Sequence, residues 1–197
     1  YISLDTGTGA LVLFGAVQIT MILSSLFAGN KLQGIEYLGL ITAFSGLFYL
    51  VLPGLSTPSL AGFILMALAG IAWAFYSLAG QHSEDPLRDT AFNFFRTLPL
   101  LLVLTALSLQ NAELAQKGVL LAILSGGLAS GLGYAIWYRA LQGLASSQAA
   151  IVQLLVPIFA ALGGVVFVGE DFSLRLAISA VVILTGVLVV VLGKKIS

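Results

Sequence analysis

The sequence of 197 residues has no cysteine, a single histidine and only 8% charged residues. The missing cysteines exclude disulfides, thiolate-bound zinc, iron–sulfur clusters and a cysteine nucleophile together. His82 is left as the sole imidazole, with no second ligand at helical spacing, so nothing calls for a metal or any other cofactor. Lys and Arg number eight, Asp and Glu also eight, and the basic residues form no cluster of the kind that neutralises phosphates. Nucleic acid is therefore excluded as a partner. An average soluble domain carries roughly 25% charged residues to keep its surface wet. At 8% charged and 59% hydrophobic, this chain cannot be a soluble globular domain, and it cannot be a disordered one either.

What the sequence has instead is apolar length. Apolar stretches fill residues 8–28, 37–53, 59–80, 91–109, 118–138, 147–168 and 176–193. A helix needs about 20 residues, within a range of roughly 17 to 25, to cross the hydrocarbon core. Each stretch meets that length, which predicts an all-α membrane protein of seven transmembrane helices with the lipid bilayer as its solvent. Transmembrane strands would need apolar and polar residues in alternation, whereas runs such as Val181, Val182, Ile183 and Leu184 are apolar on every face. The longest interruption, Gln81 to Thr90, leaves no room for a domain outside the membrane. Seven crossings put the two ends on opposite sides. Lys31, Arg88, Arg139, Lys194 and Lys195 then share one side, against Lys117 and Arg175 on the other. The excess of basic residues in cytoplasmic loops places the C-terminus and the tail 194–197 inside, and Arg96, near the inner end of the fourth helix, agrees. Residue 1 is Tyr and no charged signal-peptide region precedes the first helix, so an N-terminally truncated fragment is expected.

Shifted by 140 residues, the chain matches itself. Leu4 falls on Leu144, Ala10 on Ala150, Val12 on Val152, Phe27 on Phe167, Gly29 on Gly169, Gly46 on Gly186, Val51 on Val191 and Leu52 on Leu192. In each copy a Gly ends one helix, a short polar loop follows, and another Gly stands 17 residues later in the next helix. Three helices separate the copies, so parity makes them cross the membrane in opposite senses. Inverted-topology repeats are the plan of many secondary transporters, with the substrate near the midplane between the halves.

The run Gly133-Tyr134-Ala135-Ile136-Trp137-Tyr138-Arg139-Ala140-Leu141, Pro157 in mid-helix, Gly169-Glu170 in the following loop and Gly186 in the last helix resemble the second half of an EamA-type transporter of the drug/metabolite transporter superfamily. The resemblance covers nearly the whole chain and is strongest over residues 130–193. It implies a ten-helix bundle built as two inverted five-helix repeats (5+5), with both termini cytoplasmic. Residues 59–193 would be the complete second repeat and residues 1–53 the last two helices of the first, with roughly three helices upstream. Two places depart from the pattern. Asn30-Lys31 stand where the second copy has Glu170-Asp171, and Val17 stands where it has Pro157, so the resemblance does not imply equal roles for the two loops.

Several residues are candidates for a substrate cavity. Pro157 removes a helical N–H and its ring pushes on the carbonyl of Gln153, so a kink is expected there, with a freed acceptor facing either a cavity or a neighbouring helix. Pro99 does the same to the carbonyl of Phe95. Asn93 and Arg96 share a helical face and suit an anionic or zwitterionic ligand. Arg96, only about five residues into its apolar run, suits a headgroup anchor as well. Trp73 and Tyr76 share a face of the third helix, while Ser130, Tyr134, Trp137 and Tyr138 line another helix toward its cytoplasmic end. An interfacial aromatic belt is the plainer reading of Trp137 and Tyr138. Trp73 and Tyr134 lie deeper, and aromatic walls with a few polar groups suit a small amphiphile. Gln18 and Thr20, the polar pair in the middle of the first helix, complete the set with Gln153. Gly127 and Gly131, and likewise Ala160 and Gly164, have the spacing of close helix packing.

All eight acids, Asp5, Glu36, Glu84, Asp85, Asp89, Glu113, Glu170 and Asp171, fall in loops or at helix margins. The helices thus offer no carboxylate relay for proton coupling and no nucleophile–base pair for an intramembrane hydrolase. The expected function is a secondary transporter of the bacterial inner membrane, not an enzyme, that exports small metabolites such as amino acids or amphiphilic compounds by alternating access. The alternative is a membrane scaffold whose helices only pack. A homodimer stays open under either reading.

Overall fold

The computed structural model describes residues 6–30, 32–52, 59–108, 115–169 and 171–193. Among these residues there is no strand, and seven helices follow one another: α1 (Thr6–Phe27), α2 (Gly34–Val51), α3 (Leu60–Gly80), α4 (Pro86–Ser108), α5 (Gln116–Leu141), α6 (Ser146–Phe167) and α7 (Leu174–Gly193). All seven are long and apolar enough to cross a membrane. Lys31, Lys194 and Lys195 of the orientation argument, Glu170 of the loop motif, and Asp5 and Glu113 lie outside the described residues.

Helix ends in such a chain need partners, because hydrocarbon offers their free N–H and C=O groups nothing. Ser59 Oγ accepts from the Gly62 N–H, Asp85 Oδ1 from the Arg88 N–H and Ser173 Oγ from the Leu176 N–H, each at 3.1 Å. These are side-chain N-caps for α3, α4 and α7. Asp85 together with Pro86 at the first helical position starts α4 at residue 86, five residues ahead of the apolar run at 91. At the other end of α1, Gly29 takes a left-handed φ of +82°. Its N–H reaches the Leu26 carbonyl at 3.0 Å and the Asn30 N–H reaches Ser25 at 3.1 Å, the two bonds of a Schellman turn. Gly169, with φ +79°, ends α6, and among the described residues these two alone have positive φ. They are 140 positions apart, and shifting the bounds of α1 by 140 gives those of α6 to within one residue. The shared turn geometry at Gly29 and Gly169 is the part of the backbone that the two segments have in common.

The chain divides into two compact units, Tyr1–Leu78 with Leu144–Ser197, and Ala79–Gly143. In the first, α2 and α7 run antiparallel in close contact. Gly39 lies against Val190 and Gly186, and Gly46 against Ile183 and Val182, so position in one helix falls as it rises in the other. Ala43, Leu47, Ile183 and Val190 are fully buried there and join Phe14, Ile151, Leu154 and Ile158 in one apolar cluster. Gly70 lets α3 approach the Leu13 carbonyl and Ala16 of α1.

The two copies differ where their sequences differ. α1, with Val17, is α-helical without a break. α6, with Pro157, is α-helical over Ser146–Val152, tightens to a 3-10 turn over Gln153–Leu155, resumes over Val156–Gly163 and widens to a π turn over Gly164–Val168. Pro157 has no N–H to give the Gln153 carbonyl, but the Val156 N–H donates to it instead. The acceptor expected to be free is therefore satisfied by the tightened turn.

In the second unit, α5 is α-helical over Gln116–Ile123, π-helical over Leu124–Ser130 and α-helical again over Gly131–Leu141. The Gly131 N–H reaches back five residues to the Gly126 carbonyl. A Cβ placed on Gly127 would meet nothing within 4 Å, and one on Gly131 would meet only the Gly126 carbonyl, at 3.8 Å. These glycines sit where the helix widens, not at a helix contact, and Gly164 likewise opens the π turn of α6. Ala160 is exposed. The tight glycine contacts are at Gly39, Gly46, Gly70, Gly186 and, in the second unit, Gly80, where a Cβ would sit 2.5 Å from the Tyr138 ring. Pro99 lies inside α4, which continues through it to Ser108.

Candidate functional site

Five candidate residues belong to the first unit. Gln18, in the middle of α1, is 4% exposed. Its Nε2 donates to the Ala150 carbonyl of α6, and its Oε1 is buried without a partner. Gln18 also lines a cleft of about 490 Å³ between α1 and α2, whose other walls include Ile22, Leu40, Phe44 and Phe48. Gln153, 2% exposed, sits on the 3-10 turn of α6. Its Oε1 accepts from Trp73 Nε1 of α3, while its Nε2 donates to the Ala149 carbonyl and to Met21 Sδ of α1, both at 3.2 Å. Trp73 stacks on Tyr76 with ring centroids 5.4 Å apart. One glutamine amide therefore ties α1, α3 and α6 together, and the structure brings Gln18, Gln153, Trp73 and Tyr76 into one neighbourhood. Thr20 spends its hydroxyl on the Ala16 carbonyl of its own helix at 2.7 Å, and lines a separate cleft of about 380 Å³ between α1 and α3.

A feature of the same unit escaped the sequence reading. Glu36, in the first turn of α2, is 3% exposed. Its Oε1 accepts from Ser147 Oγ at 2.5 Å and its Oε2 from the Gln33 N–H at 2.8 Å. Glu36 does stand at a helix margin, yet it is buried against α6. Its spacing three residues after Gln33 is the one signal in the sequence that could have shown a carboxylate folded back on the helix start.

The other four candidates belong to the second unit. Asn93 of α4 donates through Nδ2 to the Tyr138 hydroxyl of α5 at 3.2 Å. Tyr138 is 4% exposed, so it is a buried partner within its unit and not a member of an interfacial belt. Tyr134 stacks on Phe94 with centroids 5.7 Å apart, and Trp137 is half-buried. Arg96 lines a polar cleft of about 650 Å³ together with Asn93, Tyr138, Phe92, Arg88 and the loop residues His82, Glu84 and Asp85. The Arg88 guanidinium lies 5.6 Å from the centre of the Phe92 ring, a cation–π distance. Among the described residues no group of three or more His, Asp or Glu side chains could hold a metal ion.

Known proteins resemble this chain in sequence and in fold. The family model described as the EamA-like transporter family matches residues 60–192. An uncharacterized protein of Pseudomonas aeruginosa is 47% identical over 187 residues, 95% of this chain and 65% of its own length, so the chain spans just under two thirds of that relative. A probable amino-acid metabolite efflux pump of Salmonella typhimurium is 26% identical across 98% of the chain and 70% of the pump. A Bacillus subtilis protein named as an uncharacterized transporter is 20% identical across 93% of the chain. A solved crystal structure superimposes with a TM-score of 0.72, covering 98% of this chain and 69% of the other, at 18% identity, which speaks for the fold alone.

Proposed function

Because the chain belongs to the EamA-like transporter family, we propose that it is part of a secondary transporter that exports small metabolites by alternating access. Membership of a transporter family argues against an enzyme. The observation that carries the reading is a pair of buried glutamines, Gln18 bonded to the Ala150 carbonyl and Gln153 bonded to Trp73, Met21 and the Ala149 carbonyl, set where α6 breaks ahead of Pro157. Polar groups and irregular backbone at membrane depth persist only where protein or a cavity satisfies them. Among the described residues Gln18 Oε1 is buried without a hydrogen-bond partner.

In this reading residues 1–53 and 59–193 come from two repeats that cross in opposite senses. The antiparallel pairing of α2 with α7, and the matching glycine turns at Gly29 and Gly169, support it. Helix pairs of this kind can rock about a central site. The protein sits in the bacterial inner membrane with its C-terminus cytoplasmic, following the distribution of Lys and Arg. Solutes the size of amino acids, or amphiphilic amines and acids, are the proposed cargo, in keeping with the name of the Salmonella relative. The test is reconstitution of the full-length gene product in liposomes with such a panel. Saturable flux of at least one solute is expected. A folded protein that moves none of them would favour the scaffold reading.

A further inference from the structure

We propose that Arg96 binds the carboxylate of the ligand, and that the cleft it lines selects small solutes carrying that group. The inference deepens the transporter reading and rests on it for the purpose of the site, though not for the binding itself. α4 begins at Pro86, so Arg96 stands ten residues along a helix of 23, roughly 15 Å from its start. The apolar run of α4 begins only at residue 91, so the guanidinium lies within reach of the polar helix start that carries Arg88 and Asp89, beside loop residues of the same cleft. Arg96 is exposed, and among the described residues its guanidinium makes no hydrogen bond, ion pair or ring contact while it lines a cleft of about 650 Å³. That volume lies in the usual range of small-molecule sites, about 300 to 1,000 Å³.

The acids of the cleft do not occupy the guanidinium. Of the three, Asp89 Oδ2 accepts from Ser83 Oγ at 2.6 Å and Asp85 Oδ1 from the Arg88 N–H at 3.1 Å, so both serve the start of α4, while Glu84 makes no ion pair with Arg96 among the described residues. Asn93, nearly one turn before Arg96 on the same face, gives one Nδ2 hydrogen to Tyr138 and keeps the other. Its amide is held in place by that bond. A planar fork of guanidinium donors with an amide N–H beside it matches the two oxygens of a carboxylate, and matches a carboxamide poorly, since that group has a single acceptor. Phe92 supplies an apolar wall for the remainder of the ligand. A lipid phosphate offers similar oxyanion chemistry, so the test must separate a solute from a headgroup.

The test is titration calorimetry of the purified protein in dodecylmaltoside with 3-phenylpropanoate and its isostere 3-phenylpropanamide. The acid is expected to bind about tenfold or more tightly than the amide, the gain of a charge-assisted pair over a neutral one. Arg96→Gln should bring the ratio to about one, while Arg96→Lys should keep part of the preference. Equal affinities in the wild type, no binding of either probe, or an unchanged ratio in Arg96→Gln would each overturn the proposal. The wild-type ratio decides even if Arg96→Gln does not fold. Phosphatidylglycerol is titrated in parallel against phosphatidylcholine. An Arg96-dependent response to that lipid, with none to 3-phenylpropanoate, would make Arg96 a headgroup anchor and also overturn it. Flux of a carboxylate solute that Arg96→Gln leaves unaltered removes this proposal and keeps the transporter. Acid-over-amide binding without any flux keeps the site and removes the transporter.

Discussion

Replacing Gly186 by alanine probes the contact on which the first unit is built. The added Cβ would sit 2.5 Å from the Ala43 nitrogen, 2.5 Å from the Gly39 carbonyl oxygen and 2.8 Å from Ala43 Cβ. Carbon atoms in contact prefer about 3.5 to 4.0 Å, so α2 and α7 would have to part by roughly 1 Å. Two of the three opposing atoms are backbone and cannot swing aside. Overpacking of this kind costs about 1 to 3 kcal/mol, against which alanine returns about 0.8 to 1.0 kcal/mol of helix propensity. A net loss of up to about 2 kcal/mol is expected, read as a lower midpoint in an SDS unfolding titration of the detergent-solubilised protein. Gly133 in α5 is the control, because a Cβ there meets nothing within 4 Å. Gly133→Ala should be neutral or stabilising by about 0.5 to 1 kcal/mol. Adding Ala43→Gly to Gly186→Ala should restore only part of the loss, because the two backbone contacts remain. If Gly186→Ala is as well tolerated as Gly133→Ala, the close antiparallel approach of α2 and α7 is wrong.

Three other perturbations follow from the polar contacts and the turns. Trp73→Phe leaves Gln153 Oε1 without its indole donor and should cost about 0.6 to 1.7 kcal/mol, with the coupling to Gln153 isolated by a double-mutant cycle against Gln153→Leu. Cycle energies near zero would mean the two side chains do not interact. Glu36→Leu strands the Ser147 hydroxyl and should destabilise by about 1 to 3 kcal/mol, whereas Glu36→Gln, which keeps an acceptor, should cost less. Thermal unfolding in detergent checks the order, and equal losses would refute the role given to the carboxylate oxygen. Gly29→Ala forces a side chain into left-handed backbone and should cost about 1 kcal/mol, with Gly29→Asn milder. An unfolding midpoint for Gly29→Ala at or above wild type would count against the Schellman turn.

Helix number was legible because it rests on a pattern the bilayer enforces. A run of about 20 apolar residues has few uses other than crossing it. The glycines at 29 and 169 were readable as helix stops for a comparable reason, since left-handed backbone nearly demands that residue. Hydropathy, however, finds apolar runs and not helices. It placed the fourth span at 91, while Asp85 and Pro86 start the helix at 86, and Arg96 moved from five residues along to ten. The same blindness hid Glu36, which a hydropathy window assigns to the loop although α2 and Ser147 bury it.

Small-residue spacing misled in a different way. Gly127 and Gly131 have the right interval, but that interval does not say whether the helix stays α, and here it widens to a π turn. The glycines that do pack, at 39, 46, 70, 80 and 186, follow no single interval, because each is chosen by what faces it on another helix. For the candidate site the residue types were readable and the partners were not. Gln153 was picked out through Pro157, but its ties to Trp73 and Met21 span 80 and 132 positions of sequence.

Alternating access is tested most directly by counterflow. Liposomes holding the full-length gene product are loaded with an unlabelled solute and diluted into a trace of the same solute carrying label. An alternating-access carrier predicts transient uptake of label above its external concentration, abolished when the internal pool is omitted. Entry of label that never exceeds equilibrium, or that ignores the internal pool, would contradict it.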